Sequence, residues 1–201
     1  MNFKQHRQII LASGSPRRKE YLERYNFEFR IITSDISEDV LDGERPMAYV
    51  TRMATEKAEA VSGQCQPNEI ILAADTVVAL HDRIIGKPVD KEDAIKMLEE
   101  LNGANHEVIT AYTILNPSEN ILIKNYAGTQ VRFNQLSSDY IRSYVESEEP
   151  LDKAGSYSIQ STGTFLVNGI EGSYNNVVGL PIEKVIRDLI DHNFISVQEV
   201  D

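Results

Sequence analysis

The strongest constraint on the fold is an apolar run, Ile70–Leu80, that holds one charged residue, Asp75. Aliphatic and β-branched residues predict a strand, and a continuous apolar run indicates a strand covered on both faces. A carboxylate buried there costs several kcal/mol unless a cation, a metal or hydrogen-bond donors compensate it. We therefore favour a functional role for Asp75. The alternative is an edge-strand residue that faces water.

The rest of the chain alternates between strand and helix patterns, which predicts an α/β fold. Val108–Leu115 and Ile121–Phe133 alternate around a turn and indicate an antiparallel hairpin. The other predicted strands are Ile9–Ala12, Phe29–Thr33, Ser158–Gln160 and Thr164–Val167. The predicted helices span residues 17–25, 46–61, 90–101, 138–145 and 181–192, with Asp90 as the N-cap of the third.

The chain has 201 residues and shows no repeat or linker, so we predict a single domain over residues 1–201. Its 20 Lys and Arg against 31 Asp and Glu give a net charge of −11. This balance argues against nucleic-acid or anionic-membrane partners, which need a basic field. Any phosphate recognition must then be local.

Cys65 is the only cysteine, which excludes an intrachain disulfide and a cysteine zinc cluster. The polar start, Met1 to Arg7, precedes the run Ile9–Ala12, which is too short for a signal-peptide core or a membrane span. We therefore expect the reducing cytoplasm as the compartment.

The first candidate site is the loop Ser13–Arg18, placed between a predicted strand and a helix. Ser15 is suited to the N-cap and Pro16 to the first helical position. A glycine loop that leads into a helix N-terminus leaves N–H donors free, and two arginines beside it predict an anion site. The alternative is a well-capped helix with solvated arginines.

Lys57 lies in the middle of the apolar face of its predicted helix, between residues such as Val50, Met53 and Val61. Two interpretations stand equally. A partner compensates a buried ammonium, or the alkyl stem passes the edge of the core and keeps the charge in water. Lys87 lies between Gly86 and Pro88, which is also typical of an exposed lysine in a turn. Glu38 has the alternative interpretation of a solvated loop residue.

Taken together, these segments resemble the Maf family of nucleoside triphosphate pyrophosphatases. The shared motifs are Leu11–Arg18, Glu56–Ala58, Ala74–Val78, Gly86–Pro88, Leu101–Gly103 with His106, Thr129–Phe133, Asp152–Gln160 and Gly172–Pro181. They follow the family order and cover nearly the whole chain.

The resemblance implies an elongated mixed β-sheet flanked by helices, with a nucleotide cleft between two lobes and usually a homodimer. It also implies Mg²⁺- or Mn²⁺-dependent hydrolysis between the α- and β-phosphates. Arg17, Thr76 and Gln160 resemble the specificity residues of the branch that acts on dTTP and UTP. A pyrophosphatase for other nucleotides, or a non-catalytic nucleotide-binding regulator of cell division, are the alternatives.

Combining the resemblance with the residues gives an expected site. Asp75 is the expected general base and shares the metal with Glu38. The remaining expected residues are Lys57 and Lys87 for catalysis, and Ser13, Arg17 and Arg18 for the phosphates. Gln160 carries an amide donor and an acceptor that suit a uracil or thymine edge, and Thr76 should point to the sheet face opposite Asp75.

The chain departs from the family pattern at two places. Glu148 stands where glycine commonly precedes Glu-Pro, and Ser158 and Ser161 stand where glycine flanks Ile-Gln. Both departures fall in the loops expected beside the base.

Overall fold

A computed structural model describes residues 3–198 of the chain. The strands are β1 (Phe3–Gln5), β2 (Gln8–Leu11), β3 (Phe29–Ile31), β4 (Glu69–Leu80), β5 (Arg83–Ile85), β6 (Asn105–Asn116), β7 (Ile121–Phe133), β8 (Val167–Glu171) and β9 (Ile195–Val197). The helices are α1 (Pro16–Arg24), α2 (Pro46–Val61), α3 (Lys91–Leu101), α4 (Ser138–Glu146), α5 (Tyr174–Val178) and α6 (Ile182–Asp191).

Seven strands form one mixed sheet in the order β3-β2-β4-β6-β7-β8, with β5 paired to β4. The pairs β2–β3 and β2–β4 are parallel, whereas β4–β6, β6–β7 and β7–β8 are antiparallel. The apolar run forms the central strand β4 rather than an edge. The predicted α/β class and mixed sheet are therefore confirmed, and the edge-strand interpretation of Asp75 is wrong.

The two faces of β4 belong to different parts of the core. Helix α2 covers one face, where Met53 and Ala54 pack with Val77 and Ala79. On the other face the first half of β4 packs with α1 and α6. The second half packs with α3 and α4. Long strands thus join two packed regions, and position 76 lies where they meet.

The long elements were predicted with small errors at their ends. Helix α2 has the predicted bounds, and the side chain of Asp90 accepts from the backbone N–H of Asp93 as an N-cap. The antiparallel hairpin of β6 and β7 is also present, because its alternating pattern is strong and its turn is local.

The predicted strands Ser158–Gln160 and Thr164–Val167 are wrong. Residues 158–160 form no strand, and Ser161–Leu166 is a 3₁₀ helix that leads into β8. Ser158 Oγ accepts from the N–H of Gln160, and Thr164 Oγ1 donates to the carbonyl of Ser161. Such local side-chain bonds compete with strand pairing.

Several short elements carry no clear sequence pattern and were not predicted. They include β5, α5, and β1 with β9, which form a separate two-stranded pair. Of the predicted polar start, Met1 and Asn2 lie outside the described residues, as do positions 199–201. The single domain over residues 1–201 stays a prediction. Within residues 3–198 no helix is both long and apolar enough to cross a bilayer.

Candidate active site

A cavity of about 630 Å³ opens where the two packed regions meet. This volume suits a small-molecule ligand. Its charged lining consists of five cations and three carboxylates, namely Arg17, Arg18, Lys57, Lys87, Lys153, Glu38, Asp75 and Asp152. The chain as a whole carries −11, so this local excess of positive charge identifies the cavity as a place for an anion.

Asp75 and Lys57 form a buried ion pair at the centre of the cavity. Lys57 Nζ lies 2.6 Å from Asp75 Oδ1, and each side chain is 11% exposed. The same nitrogen lies 2.6 Å from Oε1 of Glu38. Lys57 therefore has partners for its buried charge, which removes the interpretation that its stem only passes the edge of the core.

Glu38 links this pair to Lys87, whose Nζ lies 3.9 Å from Glu38 Oε2. Both residues are largely exposed, and the hydroxyl of Tyr49 holds the loop by donating to the Glu38 carbonyl at 2.8 Å. Partial burial raises the pKa of Glu38, but the hydrogen bond and charge of Lys57 and the charge of Lys87 outweigh burial and lower the pKa below its usual value. Glu38 thus presents an ionised carboxylate.

The loop between β2 and α1 presents donors to the cavity. Ser13 Oγ accepts from the N–H of Ser15 and from Nη1 of Arg18, so its own hydrogen is free to donate. Ser15 occupies the N-cap of α1, but its side chain makes no capping hydrogen bond, contrary to expectation. Arg17 makes no side-chain hydrogen bond or ion pair among the described residues. The uncapped helix start and the free guanidinium fit the expected anion site.

Arg18 has a different setting from Arg17, because its guanidinium is buried and used by the protein. It donates to the carbonyl of Gly179 at 2.8 Å, to Ser13 Oγ at 3.0 Å and to Thr76 Oγ1 at 3.0 Å. Burial lowers the pKa of Arg18, and the charge of Asp75 opposes this shift. Arg18 therefore holds three segments of the cavity wall together.

Other lining residues carry no charge, and we refer to them as the neutral end of the cavity, which adjoins the charged end because Thr76 contacts Arg18. Thr76 and Gln160 line it with the apolar side chains of Ile159, Val177 and Val178. The Gln160 side chain makes no hydrogen bond within residues 3–198, so both its donor and its acceptor are free. Thr76 contacts Arg18 and Gly179, whereas Asp75 contacts α2 on the other face of the sheet, as alternation along a strand requires.

Sequence reasoning missed the buried polar residues behind this end. Thr110 and Asn176 are fully buried, and the buried His106 bonds through Nε2 to the hydroxyl of Tyr157 at 2.8 Å. Tyr157 lines the cavity. The available signal was a threonine inside the apolar strand β6 and an asparagine inside the Gly172–Pro181 motif.

The acidic residues of the cavity suit a divalent cation that a ligand also binds. No group of three or more His, Cys, Asp or Glu side chains among residues 3–198 has the geometry of a metal cage. Glu38 and Asp75 nevertheless converge on a single cation, the Lys57 ammonium. Mg²⁺ is commonly bound by one or two carboxylates together with substrate phosphates. The donor set therefore fits an ion that also binds the phosphates of a ligand.

Sequence comparison finds named relatives of this chain. A protein of Desulfotalea psychrophila named dTTP/UTP pyrophosphatase is 44% identical over 97% of this chain and 100% of its own length. Proteins with the same name from Bacillus anthracis and Clostridioides difficile are each 44% identical, over 93% and 92% of this chain and 96% and 95% of their own lengths.

Solved structures support the fold alone. A HAM1 protein from Coxiella burnetii has a TM-score of 0.52 at 17% identity, covering 92% of this chain and 99% of its own. The Staphylococcus aureus Ham1 protein has a TM-score of 0.51 at 14% identity, covering 93% and 100%. Residues 8–192 match the family described as Maf-like protein, and together with the 44% identity to full-length relatives this shows that the chain belongs to that family.

Proposed function

We propose that this protein is a nucleoside triphosphate pyrophosphatase that hydrolyses dTTP and UTP to the nucleoside monophosphate and pyrophosphate. The observation that carries the proposal is the 44% identity, over 97% of the chain, to a protein named dTTP/UTP pyrophosphatase. The cavity supports it independently, because it has a charged end suited to a triphosphate and a neutral end suited to a base.

Asp75 is the proposed general base. Oδ1 is held by Lys57, and Oδ2 makes no hydrogen bond among the described residues, so Oδ2 can accept a proton from water. The water oxygen then bonds to the α-phosphorus as the bond from that phosphorus to the bridging oxygen breaks, and pyrophosphate leaves. Lys57 orients the carboxylate and Lys87 offsets negative charge on the leaving group.

The phosphates are assigned to the loop before α1. Ser13 donates its free hydroxyl hydrogen, and Arg17 offers an unpaired guanidinium. Arg18 adds positive charge beside them while it holds Gly179 and Thr76 in place. These assignments follow from the free donors, since the donors that the protein leaves unpaired are the ones able to bind phosphate oxygens.

Glu38 and Asp75 are the residues that would hold Mg²⁺ or Mn²⁺, since both converge on Lys57 and both are oxygen donors. A bound ion supplies neutralisation of the triphosphate charge. Lys57 and the ion would then share the same two carboxylates, so the Lys57 contact with the half-exposed Glu38 is the one able to loosen.

The base is assigned to the neutral end. Gln160 reads the polar edge of the pyrimidine through its free amide, with Arg17 and Thr76 shaping the pocket beside it. Replacing Gln160 with Ala should lower kcat/KM for UTP more than for CTP, so that the UTP:CTP ratio falls, while kcat for both nucleotides changes less.

The experiment that tests the function measures pyrophosphate release from dTTP, UTP, CTP, GTP and ATP, with Mg²⁺, with Mn²⁺ and with a chelator. We expect metal-dependent release that is fastest with dTTP and UTP. Release that is fastest from a purine nucleotide would refute the substrate assignment. Nucleotide binding with no release of pyrophosphate under any condition would refute the assignment of enzymatic activity.

We further propose a homodimer in the cytoplasm. The edge strand β8 and the residues around it expose Phe165, Ile170 and Tyr174, which a second copy would cover. Light scattering on the purified chain tests the dimer, and cell fractionation tests the compartment.

A further inference from the structure

A chain of hydrogen bonds leads from the cavity into the sheet through Thr76. Thr76 on β4 lies directly opposite Thr110 on β6, and their hydroxyl oxygens are 2.9 Å apart. Thr110 Oγ1 in turn lies 3.0 Å from the backbone carbonyl of Asn176 and donates to it. Thr110 and Asn176 are fully buried, whereas Thr76 is partly exposed to the cavity.

The direction of these bonds is fixed by the acceptor at the end. A carbonyl oxygen cannot donate, so the single hydrogen of Thr110 is used by Asn176. Thr110 Oγ1 can then only accept from Thr76. The other protein acceptor that Thr76 contacts within residues 3–198 is the Gly179 carbonyl at 3.4 Å, which also lies in the protein. In either case the hydrogen of Thr76 points away from a ligand.

Only the lone pairs of the Thr76 hydroxyl oxygen are available to a ligand. A hydroxyl oxygen has two lone pairs, and Nη2 of Arg18 occupies one of them at 3.0 Å. The second is free at the cavity wall. Thr76 is therefore able to accept a hydrogen bond from a ligand and unable to donate one.

The side chain of Asn176 is held in place by hydrogen bonds of its own. Its Nδ2 donates to the Val108 carbonyl and to Thr129 Oγ1, both at 2.8 Å, and its Oδ1 accepts from the N–H of Thr110 at 3.1 Å. All polar atoms of the side chain are thus paired in a dry environment, where breaking a bond is costly. The network holds one orientation of the Thr76 hydroxyl.

We propose that Thr110 and Asn176 are positioning residues that fix Thr76 as a hydrogen-bond acceptor, so that the neutral end of the cavity selects a ring N–H donor. Uracil and thymine carry a hydrogen on N3, whereas cytosine carries a lone pair there. An acceptor facing that lone pair is repelled and stays unpaired. This proposal rests on the proposed function and names how it discriminates between pyrimidines.

The test compares kcat/KM for UTP and CTP in the wild type, Thr110→Val, Thr110→Ser and the control Thr113→Val. Valine at 110 removes the nearer acceptor, and the Gly179 carbonyl at 3.4 Å, which already accepts from Arg18 Nε at 2.8 Å, holds the Thr76 hydrogen less firmly. The hydrogen can then turn toward the ligand, so the UTP:CTP ratio should fall about fivefold. Serine keeps the hydroxyl and should keep the ratio. Thr113 is equally buried on β6 but contacts Thr55 on α2, so its valine variant should also keep the ratio.

A purely structural role for Thr110 predicts a different outcome, in which turnover of both nucleotides falls together and the ratio stays the same. That result in a folded Thr110→Val variant would overturn the proposal. A wild type that releases no pyrophosphate from UTP or dTTP would refute the proposed function itself. UTP turnover with an unchanged ratio refutes only the role of Thr110.

A second measurement needs no variant at all. Binding of UMP and N3-methyl-UMP to the wild type is measured by calorimetry without metal. The methylated base lacks the N3 hydrogen, so we expect at least about tenfold weaker binding. Equal affinity for the two would overturn the proposal even where Thr110→Val does not fold.

Discussion

Asp75 is the residue on which the proposed chemistry depends most. Asn at this position has nearly the same shape but cannot take a proton, so Asp75→Asn should lose at least about 10²-fold in kcat. Circular dichroism checks that the variant is folded. A folded variant with near-normal kcat would exclude Asp75 as the general base.

Lys57 illustrates how the structure reverses an expectation. On its helix alone, a lysine in an apolar stripe suggests that Lys57→Met, which removes a desolvated charge, leaves stability equal or higher. In the structure the Lys57 ammonium compensates the charge of Asp75, whose side chain is only 11% exposed. Lys57→Met leaves the Asp75 carboxylate buried without its partner. This variant should therefore lose activity and also stability, on the order of 3 kcal/mol.

A double-mutant cycle separates the two roles of Lys57. Adding Asp75→Asn to Lys57→Met removes the stranded charge, so the double variant should be more stable than Lys57→Met alone while it remains inactive. The measurement is denaturant unfolding of all four proteins. Additive losses in stability would show that the two side chains are not coupled.

At the scale of elements, loops carry the two departures from the family pattern. Glu148 and Ser161 both have positive φ, 62° and 57°, in the left-handed region that favours glycine. Ser158 differs, since it has no positive φ and its hydroxyl bonds the Gln160 N–H. Positions 148 and 161 thus have a backbone conformation that favours glycine, although neither residue is a glycine.

Restoring glycine should relieve this strain. We expect Ser161→Gly to raise the free energy of unfolding by about 0.5 to 1 kcal/mol, because its side chain is exposed and only backbone strain is relieved. Glu148→Gly should give a smaller gain, because it also removes the exposed ion pair of Glu148 with Lys91, in which Oε1 lies 3.5 Å from Nζ. Ser147→Gly is the control in which no strain is relieved. Ser147 has a φ of −70°, in the right-handed region, and its hydroxyl donates to the Tyr144 carbonyl at 2.6 Å, so this variant should lower stability. A loss of stability in all three variants would exclude strain as the reason.

At the scale of the whole molecule, the second packed region contains a histidine that resists protonation. His106 is 2% exposed and packs edge-on against Phe133 and Tyr157, and its Nδ1 has no hydrogen-bond partner within residues 3–198. Burial lowers the pKa of His106 to about 4. The imidazole ring of His106 is therefore neutral in the folded protein at pH values well above 4.

This shift makes global stability depend on pH. Between pH 6.5 and about 4 the unfolded chain binds a proton at this site and the folded chain does not. Stability should therefore fall as the pH falls through that range, by roughly 3 kcal/mol in total from this group. Unfolding in urea from pH 7 to 4 should show a shallower dependence for His106→Gln than for the wild type. His192→Gln, at an exposed site, should keep the wild-type dependence.

The sequence by itself determined the long elements and most of the residues that line the cavity. Helix α2, strand β4 and the β6–β7 hairpin follow from periodicity within a few residues, since apolar spacing decides which face is covered. Asp75 and Lys57 stood out because each places a charge where its own element is apolar. These signals are local and need no knowledge of the partner.

Only the tertiary structure decided how these residues are paired. Arg18 is separated by 58 residues from Thr76 and by 161 from Gly179, and only the packing of α1 and α5 on the sheet brings them together. The same holds for Glu38, Asp75 and Lys57, and for Thr110 with Asn176. A hydrogen bond depends on distances below about 3.5 Å between atoms far apart in the chain. Local patterns carry no information on such distances, so they can show that a buried charge needs a partner but not which residue supplies it.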